Sequence, residues 1–317
     1  MAQAIDRLVT IFGGGGFIGR YVVQNLFKSG VRVRAAERDP KRAWFLKPLG
    51  GLGQTQFMAA DVRDPDSAAR AVAGADVVIN MVGILKGDFE AFHVTGAANV
   101  ARAAAQAGAA SLVHISSIGA DPESPSDYGR SKGLGEQAVR EAFPGATIIR
   151  PSIVFGPEDD FISKFAAMGR ELPVLPVMAP NARFQPVYVA DLARAIAAAA
   201  LEPGRYGGKT FELGGPQVIT MAELNKTISR MTGRPGKATA AIPDSVGGLL
   251  AKFTGWLPGA PITMDQWRML QVPNVVSEGA LGFEAFGIRP QPFEAIAETW
   301  LTPYRKGGRF SSAKSPY

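Results

Sequence analysis

The chain has 317 residues, of which 46% are hydrophobic and 20% charged, and it carries a formal net charge of +6 with no cysteine and two histidines. That length accommodates one large domain, or a main domain with a smaller one built on it, and the composition is that of an ordinary α/β protein, which excludes disordered and fibrous classes. Without cysteine there are no disulfides, thiolate metal sites or cysteine nucleophiles, and His93 and His114 lack a ligand-like spacing, so no metal is expected.

In chain order, Met1 is followed within a few residues by the apolar run Leu8–Phe12, which leaves no room for a signal peptide. The run ends in glycines and gives way to residues 18–28, where Val22, Val23, Leu26 and Phe27 recur at helical spacing, so a strand, a tight turn and a helix are expected. Further strands are expected over 31–36, 55–59 and 75–82, the last apolar on both faces as in a parallel sheet covered by helices. A helix over 93–107, a strand over 111–116, a helix over 127–142 and a strand over 146–150 continue the alternation, which predicts a doubly wound parallel Rossmann sheet of the α/β class.

Beyond Phe155 the pattern becomes irregular. Pro173, Pro176, Pro180 and Pro186 punctuate an extended segment, a helix returns over 187–200, and 209–213 reads as one more strand. Helical stretches near 220–232, 244–257, 263–271 and 293–301 predict a smaller, mostly helical C-terminal domain. The expected organisation is a Rossmann domain over 1–170 and 185–215, a small domain over 171–184 and 216–304, and a basic tail over 305–317. The apolar stretch 195–201 is far short of the ~20 residues that span a bilayer. A cytoplasmic protein, free or peripheral on the cytoplasmic membrane, is therefore expected.

Chemistry is concentrated first in Gly13, Gly14, Gly15, Gly16, Phe17, Ile18 and Gly19, between the first strand and the first helix. Gly13 permits the tight turn, Gly16 lets backbone approach a pyrophosphate, and Gly19 allows close packing of helix on strand. The helix start offers unpaired N–H groups and the positive end of its dipole to phosphates. At the end of the second strand a carboxylate suits the ribose hydroxyls of NAD and an arginine the 2′-phosphate of NADP. This chain has both, Glu37 and Arg38, with Lys41 and Arg42 nearby to surround a phosphate. Glu37 opposes such a phosphate unless it points away.

The stretch from Thr10 to Gly19 resembles the glycine motif of extended and atypical short-chain dehydrogenases/reductases, of the NAD(P)-dependent epimerase/dehydratase superfamily. Further matches follow in order: Asp61 to Asp64 after the third strand, Asn80 to Gly83 after the fourth, Ser116 and Ser117 after the fifth, Tyr128 with Lys132, and Arg150 to Gly156 after the sixth. The resemblance covers nearly the whole chain. It implies dinucleotide contacts from Gly13, Gly15, Gly16, Phe17, Ile18 and Gly19, from Glu37 and Arg38, and from Asp61 and Val62 at the adenine. Val82 and Gly83 fall at the central phosphates and riboses, and Ser116, Lys132, Pro151 and Ile153 complete the set. Related reductases carry a segment like Arg38, Asp39, Pro40, which makes NADP(H) the preferred ligand and NAD(H) the alternative.

Tyr128 and Lys132, four apart on an expected helix, share a face. The resemblance implies a catalytic set of Ser117, Tyr128 and Lys132. In it the lysine binds the nicotinamide ribose and lowers the tyrosine pKa, and the phenol exchanges a proton with a substrate oxygen that Ser117 also bonds. A unit charge at ~4 Å is worth ~4 kcal/mol at an effective dielectric of 20, enough for such a shift. Only ten residues separate Ser117 from Tyr128, fewer than in typical sugar-nucleotide epimerases, so a vestigial site stays open beside a working one.

The segment from Val275 to Leu281, with Phe286 and Tyr304, and the stretches from Tyr128 to Glu136 and from Arg150 to Asp159 are similar to one branch. That branch is the nucleotide-binding accessory subunit of respiratory complex I, NADH:ubiquinone oxidoreductase, and its bacterial relatives. It implies a structurally held NADP(H) and the peripheral arm of complex I as partner. Residues 246–257, with Leu249, Leu250, Phe253, Trp256 and Leu257 around Lys252, suit a membrane surface, a partner or internal packing. Arg305, Lys306, Arg309 and Lys314 suit an acidic surface or a solvated terminus. Basic residues elsewhere are scattered without interleaved aromatics, so nucleic acid is not an expected partner. Two readings follow: a scaffold subunit holding NADP(H), or a free NADP-dependent reductase or epimerase/dehydratase acting on a small carbonyl or sugar substrate.

Overall fold

The structure, a computed structural model, describes residues 7–254 and 262–308. Its centre is a wholly parallel seven-stranded sheet built from β1 (Leu8–Phe12), β2 (Arg32–Glu37), β3 (Thr55–Ala59), β4 (Val77–Asn80), β5 (Ser111–Ile115), β6 (Thr147–Pro151) and a seventh strand, Thr210–Leu213. The strands lie in the order β3-β2-β1-β4-β5-β6 and then Thr210–Leu213. The order reverses between β1 and β4, where Phe12 pairs with Asn80, and a crevice at such a switch point is where open α/β sheets bind ligands.

Each face of the sheet is covered because every residue of β1 is buried. Successive side chains of a strand point to opposite faces. Thr10 and Phe12 face one helical layer: Thr10 Oγ1 donates to the Ala71 carbonyl at 3.1 Å, and Phe12 joins a core with Ala68, Val100, Ala104, Val139 and Ile148. That layer contains α2 (Pro65–Val72), α3 (Gly96–Gln106) and α4 (Asp127–Ala142), α3 packing on both neighbours. On the other face α1 (Phe17–Lys28) packs against the alanine-rich α6 (Val189–Leu201).

Three local features differ from the sequence expectation. The eight-residue α2 is set by Asp64, whose side chain accepts from the Asp66 N–H, and by Pro65 in the first turn, a start signal hidden by the helix's brevity. Residues 40–49 wind as a 3-10 helix capped by Asp39. The helix expected from 93 begins earlier, as a π-helical turn, Glu90–Thr95, that runs into α3.

The chain divides into two compact units, one of Met1–Pro151, Val189–Leu213 and Val276–Arg289, the other of Ser152–Tyr188, Gly214–Val275 and Pro290–Tyr317. The opening stretch of the first unit thus runs to Pro151. Residues 276–289 go with the sheet, because Glu212 accepts the Ser277 N–H at 2.8 Å and donates its own N–H to the Leu281 carbonyl at 2.9 Å. The second unit contains α5 (Asp160–Glu171), which the sequence reading did not foresee, and helices Met221–Met231, Asp244–Thr254, Met264–Leu270 and Phe293–Ala297. Its core centres on Phe155, stacked on Trp300 at 6.0 Å and met edge-on by Phe293 at 5.1 Å. In the helix Asp244–Thr254, Ala251 is buried while Val246, Leu249 and Phe253 are exposed. Trp256 and Leu257 of the expected stripe, and Arg309 and Lys314 of the tail, lie outside the described residues. Among the described residues no helix is long and apolar enough to cross a membrane.

Candidate functional site

At the end of β1 the chain turns at Gly13, whose φ of +83° lies in the left-handed region open to glycine. The Gly16 N–H closes the turn on the Gly13 carbonyl at 3.1 Å, and α1 starts at the next residue. A Cβ on Gly19 would stand 2.3 Å from the Gly13 oxygen and 2.5 Å from the Gly14 oxygen, so the first turn of α1 presses directly on the loop. Gly16 at the N-cap has no side chain to cap the helix, and the first turn holds no acidic residue. The opening N–H groups of a helix need partners from outside it. Loop and helix start therefore form a backbone cradle with a positive end, and that cradle fits a diphosphate.

Glu37, at the end of β2, does not point away from this cradle: its Oε1 accepts the Gly15 N–H at 2.6 Å. Burial pushes its carboxyl above the usual carboxylate range, against the Gly15 N–H and the charges of Arg42 and Arg38. Arg38 lies over the Phe92 ring at 5.3 Å, and Arg63 over the same ring at 4.7 Å. Arg63 also grips Asp61, with Nη2 to Oδ2 at 2.6 Å, and that bond holds the Asp61 carboxyl below its ordinary range. Val62 is buried, and its carbonyl accepts from Asn99 Nδ2 at 3.0 Å. The structure thus brings Glu37, Arg38, Asp61 and Val62 to one side of the switch point, and adds Arg63 and Phe92, which the sequence reading missed. Phe92 sits in the π-turn, whose side-chain directions a regular helical wheel does not give.

Opposite this group, Ser126 caps α4 by accepting the Gly129 N–H at 3.2 Å, which sets Tyr128 and Lys132 one turn apart. Lys132 is buried, with Nζ donating to the Ile115 carbonyl at 2.8 Å. Burial lowers its ammonium to about 8, and the Glu136 carboxylate one turn further on resists the fall. Glu136 is in turn clasped by Arg150, through Nε and Nη2, both at 2.8 Å. The Tyr128 phenol is pushed above its ordinary value by burial, and Ser117 beside it offsets part of the rise. In the chain alone, burial and the neighbouring Ser117 set the phenol's position, and the Lys132 ammonium, which gives one N–H to Ile115, has two further N–H groups to offer.

The hydroxyl oxygens of Ser116 and Ser117 are buried. Ser116 Oγ has no hydrogen-bond partner among the described residues, an exception that calls for an explanation. Val82 and Gly83 follow β4, the Val82 N–H donating to Asn80 Oδ1 at 3.1 Å. Pro151 ends β6 and its carbonyl accepts from Ile118 at 3.0 Å, whereas Ile153 belongs to the second unit and donates its N–H to Asn274 Oδ1 at 2.9 Å. His93, considered in the sequence only as a metal ligand, lies beside Tyr128 with ring centroids 5.5 Å apart. No group of side chains suited to a metal occurs among the described residues. A cavity of about 170 Å³ in the second unit, lined by Ala179, Asn181, Arg183 and Asp244 among others, includes none of the residues implicated above.

A sequence profile described as the NAD dependent epimerase/dehydratase family matches residues 9–214. The chain is 36% identical over 322 residues to NADH dehydrogenase (ubiquinone) 1 alpha subcomplex subunit 9, mitochondrial, of Arabidopsis thaliana, covering 95% of this chain and 79% of that one. It is 31% identical over 309 residues to the NADH-ubiquinone oxidoreductase 40 kDa subunit, mitochondrial, of Neurospora crassa, covering 95% of this chain and 80% of the relative. Among solved structures, the NADPH-dependent quinone oxidoreductase of Escherichia coli complexed with NADPH has the same fold, with a TM-score of 0.74 at 19% identity over 92% of this chain and 99% of that one.

Proposed function

The chain belongs to the NAD dependent epimerase/dehydratase family, and from that premise we propose that it holds NADP(H) as a structural ligand while serving as an accessory subunit on the peripheral arm of respiratory complex I. The observation that carries the reading is the opening of α1, where glycine backbone and uncapped N–H groups meet with no acidic side chain in the first turn. The membership of the relatives in respiratory NADH dehydrogenases supports the partner. In this reading the chain is a peripheral protein on the cytoplasmic side of its membrane.

The loop from Gly13 to Gly19 binds the diphosphate through backbone. Asp61 and Val62 border the adenine, and Val82, Gly83, Ser116, Lys132 and Pro151 serve the nicotinamide half. Arg38 and Arg42 favour a 2′-phosphate and the Glu37 carboxylate resists it, so NADP(H) is preferred with NAD(H) still accepted. A ligand present at a hundred times its dissociation constant stabilises the fold by ~2.7 kcal/mol, which is the benefit a scaffold draws from it. Purification from native membranes tests the proposal. Co-migration with complex I, NADPH in the acid extract and normal assembly of Tyr128→Phe are expected; a free, nucleotide-empty pool contradicts it.

A second reading is favoured by the buried Ser116 and Ser117 hydroxyls, of which Ser117 lies beside the Tyr128 phenol. They suit the oxygen of a small carbonyl or sugar substrate, in a free NADP-dependent reductase or epimerase/dehydratase. The bound nicotinamide then supplies the hydride chemistry. Tyr128 holds the proton for the substrate oxygen, and Lys132 orients the nucleotide's ribose. Oxidation of NADPH that depends on an added carbonyl compound and is lost in Tyr128→Phe supports this reading.

A further inference from the structure

The chain has two histidines, and both lie beside the strip that follows β4. His114 Nδ1 is 3.3 Å from Asn80 Nδ2, and the same Asn80 holds the Val82 N–H. His93 holds the other end, its Nε2 accepting the Ile84 N–H at 3.0 Å. Between them, a Cβ built on Gly83 would stand 3.9 Å from His93 Nε2 and 4.0 Å from Lys132 Nζ.

The opposite nitrogen of His93 fixes its tautomer. His93 Nδ1 lies 2.9 Å from Ser131 Oγ, and the Ser131 hydroxyl donates its one proton to the Tyr128 carbonyl, also at 2.9 Å. Ser131 Oγ is left only to accept, so the ring carries its proton on Nδ1. Ile84 leads to the same answer from the other side, because its N–H needs a lone pair on Nε2. The ring has little freedom to leave this arrangement. It is 1% exposed, stacked on Phe89 at 5.4 Å and met edge-on by Tyr128. Its backbone sits in the π-turn, a conformation frequent at functional sites. There α4 comes so close that a Cβ on Gly135 would fall 2.1 Å from the His93 carbonyl oxygen.

We infer that His93 is a positioning residue: a neutral, Nδ1-protonated imidazole that ties the backbone of 82–84 to the Tyr128–Lys132 turn of α4 and so fixes the spacing between Gly83 and the Lys132 ammonium. Its functional meaning rests on the dinucleotide reading, in which that strip and that lysine serve one ligand. Burial and the neighbouring Lys132 charge hold the imidazole at about 3, so the lone pair on Nε2 is kept throughout the neutral range. A protonated ring would set an N–H against the Ile84 N–H and a second cation beside the lysine.

Substitutions of different reach test the assignment. A glutamine side chain brings an oxygen to the place of Nε2, asparagine reaches only the place of Nδ1, and alanine reaches neither. In nucleotide-free protein the Ile84 amide exchanges slowly in wild type and His93→Gln, and at least about tenfold faster in His93→Ala and His93→Asn. The dissociation constant for NADPH, read by nucleotide fluorescence on folded protein, rises about tenfold in those two variants and returns to within about threefold of wild type in His93→Gln. Nitrogen-15 shifts of the wild-type ring show Nδ1 protonated and Nε2 bare from pH 5 to 8. An Nε2-protonated ring, asparagine performing as well as glutamine, or unchanged NADPH affinity in folded His93→Ala overturns the inference while leaving the dinucleotide reading intact. A wild type that protects Ile84 yet binds no dinucleotide overturns the parent reading, and the positioning role falls with it.

Discussion

The Gly15 N–H donates to Glu37 Oε1 at 2.6 Å, so the residue that ends β2 closes directly onto the phosphate loop. In the proposed NADP(H) reading this carboxylate works against a 2′-phosphate, while the charges of Arg42 and Arg38 offset it. Glu37→Gln keeps the shape and removes the charge. It is expected to raise the preference for NADPH over NADH by about tenfold, and Arg38→Ala to lower it by a similar factor. The ratio of the two dissociation constants is the measurement, and indifference to Arg38→Ala argues against an NADP(H) preference.

Gly19→Ala tests the cradle itself. The new Cβ meets two backbone carbonyl oxygens inside contact distance, and neither is the movable end of a side chain. The first turn of α1 must shift, at a cost of about 1–3 kcal/mol. Loss of NADPH binding in a protein whose thermal unfolding stays cooperative is the expected result.

Lys132 gives a pH signature. Its ammonium is lowered in the folded state to about 8 from 10.5 in the unfolded chain. Between those values the unfolded chain binds the additional proton, so folding stability rises as pH climbs from about 8 to about 10.5, and below about 8 the burial cost is felt in full. Urea unfolding of wild type and Lys132→Met across this range isolates the effect. The variant shows a flatter rise and a higher midpoint at pH 7, at the expense of nucleotide affinity.

Ser117→Ala is expected to be neutral or stabilising in urea, since it removes a buried hydroxyl that lacks a full hydrogen bond. Destabilisation by more than about 1 kcal/mol points to a structural partner for that hydroxyl. Under the reductase reading the same variant loses carbonyl-dependent NADPH oxidation, which separates function from stability at one atom.

Glu136→Gln breaks a different contact. Glu136 is clasped by Arg150 at two points and almost fully buried, and loss of one partner of such a pair costs about 3 kcal/mol. Equilibrium unfolding measures that cost, and a change below about 1 kcal/mol shows the pair to be dispensable.

The sheet was legible because its central strands, such as Leu8–Phe12 and Val77–Asn80, are buried along their whole length and its first turn is glycine. The strand at Leu8–Phe12 and the helix Asp127–Ala142 carry strong period and cap signals. Features set by tertiary contact were less legible. The π-turn at Glu90–Thr95 places Phe92 under two arginines and His93 against Tyr128, and no helical wheel describes it. The environment of Lys132 was hidden for a related reason: its commitment to the Ile115 carbonyl depends on where β5 ends relative to α4. Residues 276–289 read as part of the small domain, but Glu212 draws them to the sheet edge through contacts spanning more than sixty positions of sequence.

Titration of the purified chain with NADPH and NADH tests the central claim most directly. The account predicts saturable binding of one dinucleotide per chain, NADPH the tighter, with binding lost in Gly19→Ala. A folded wild-type chain that takes up neither nucleotide at millimolar concentration contradicts it.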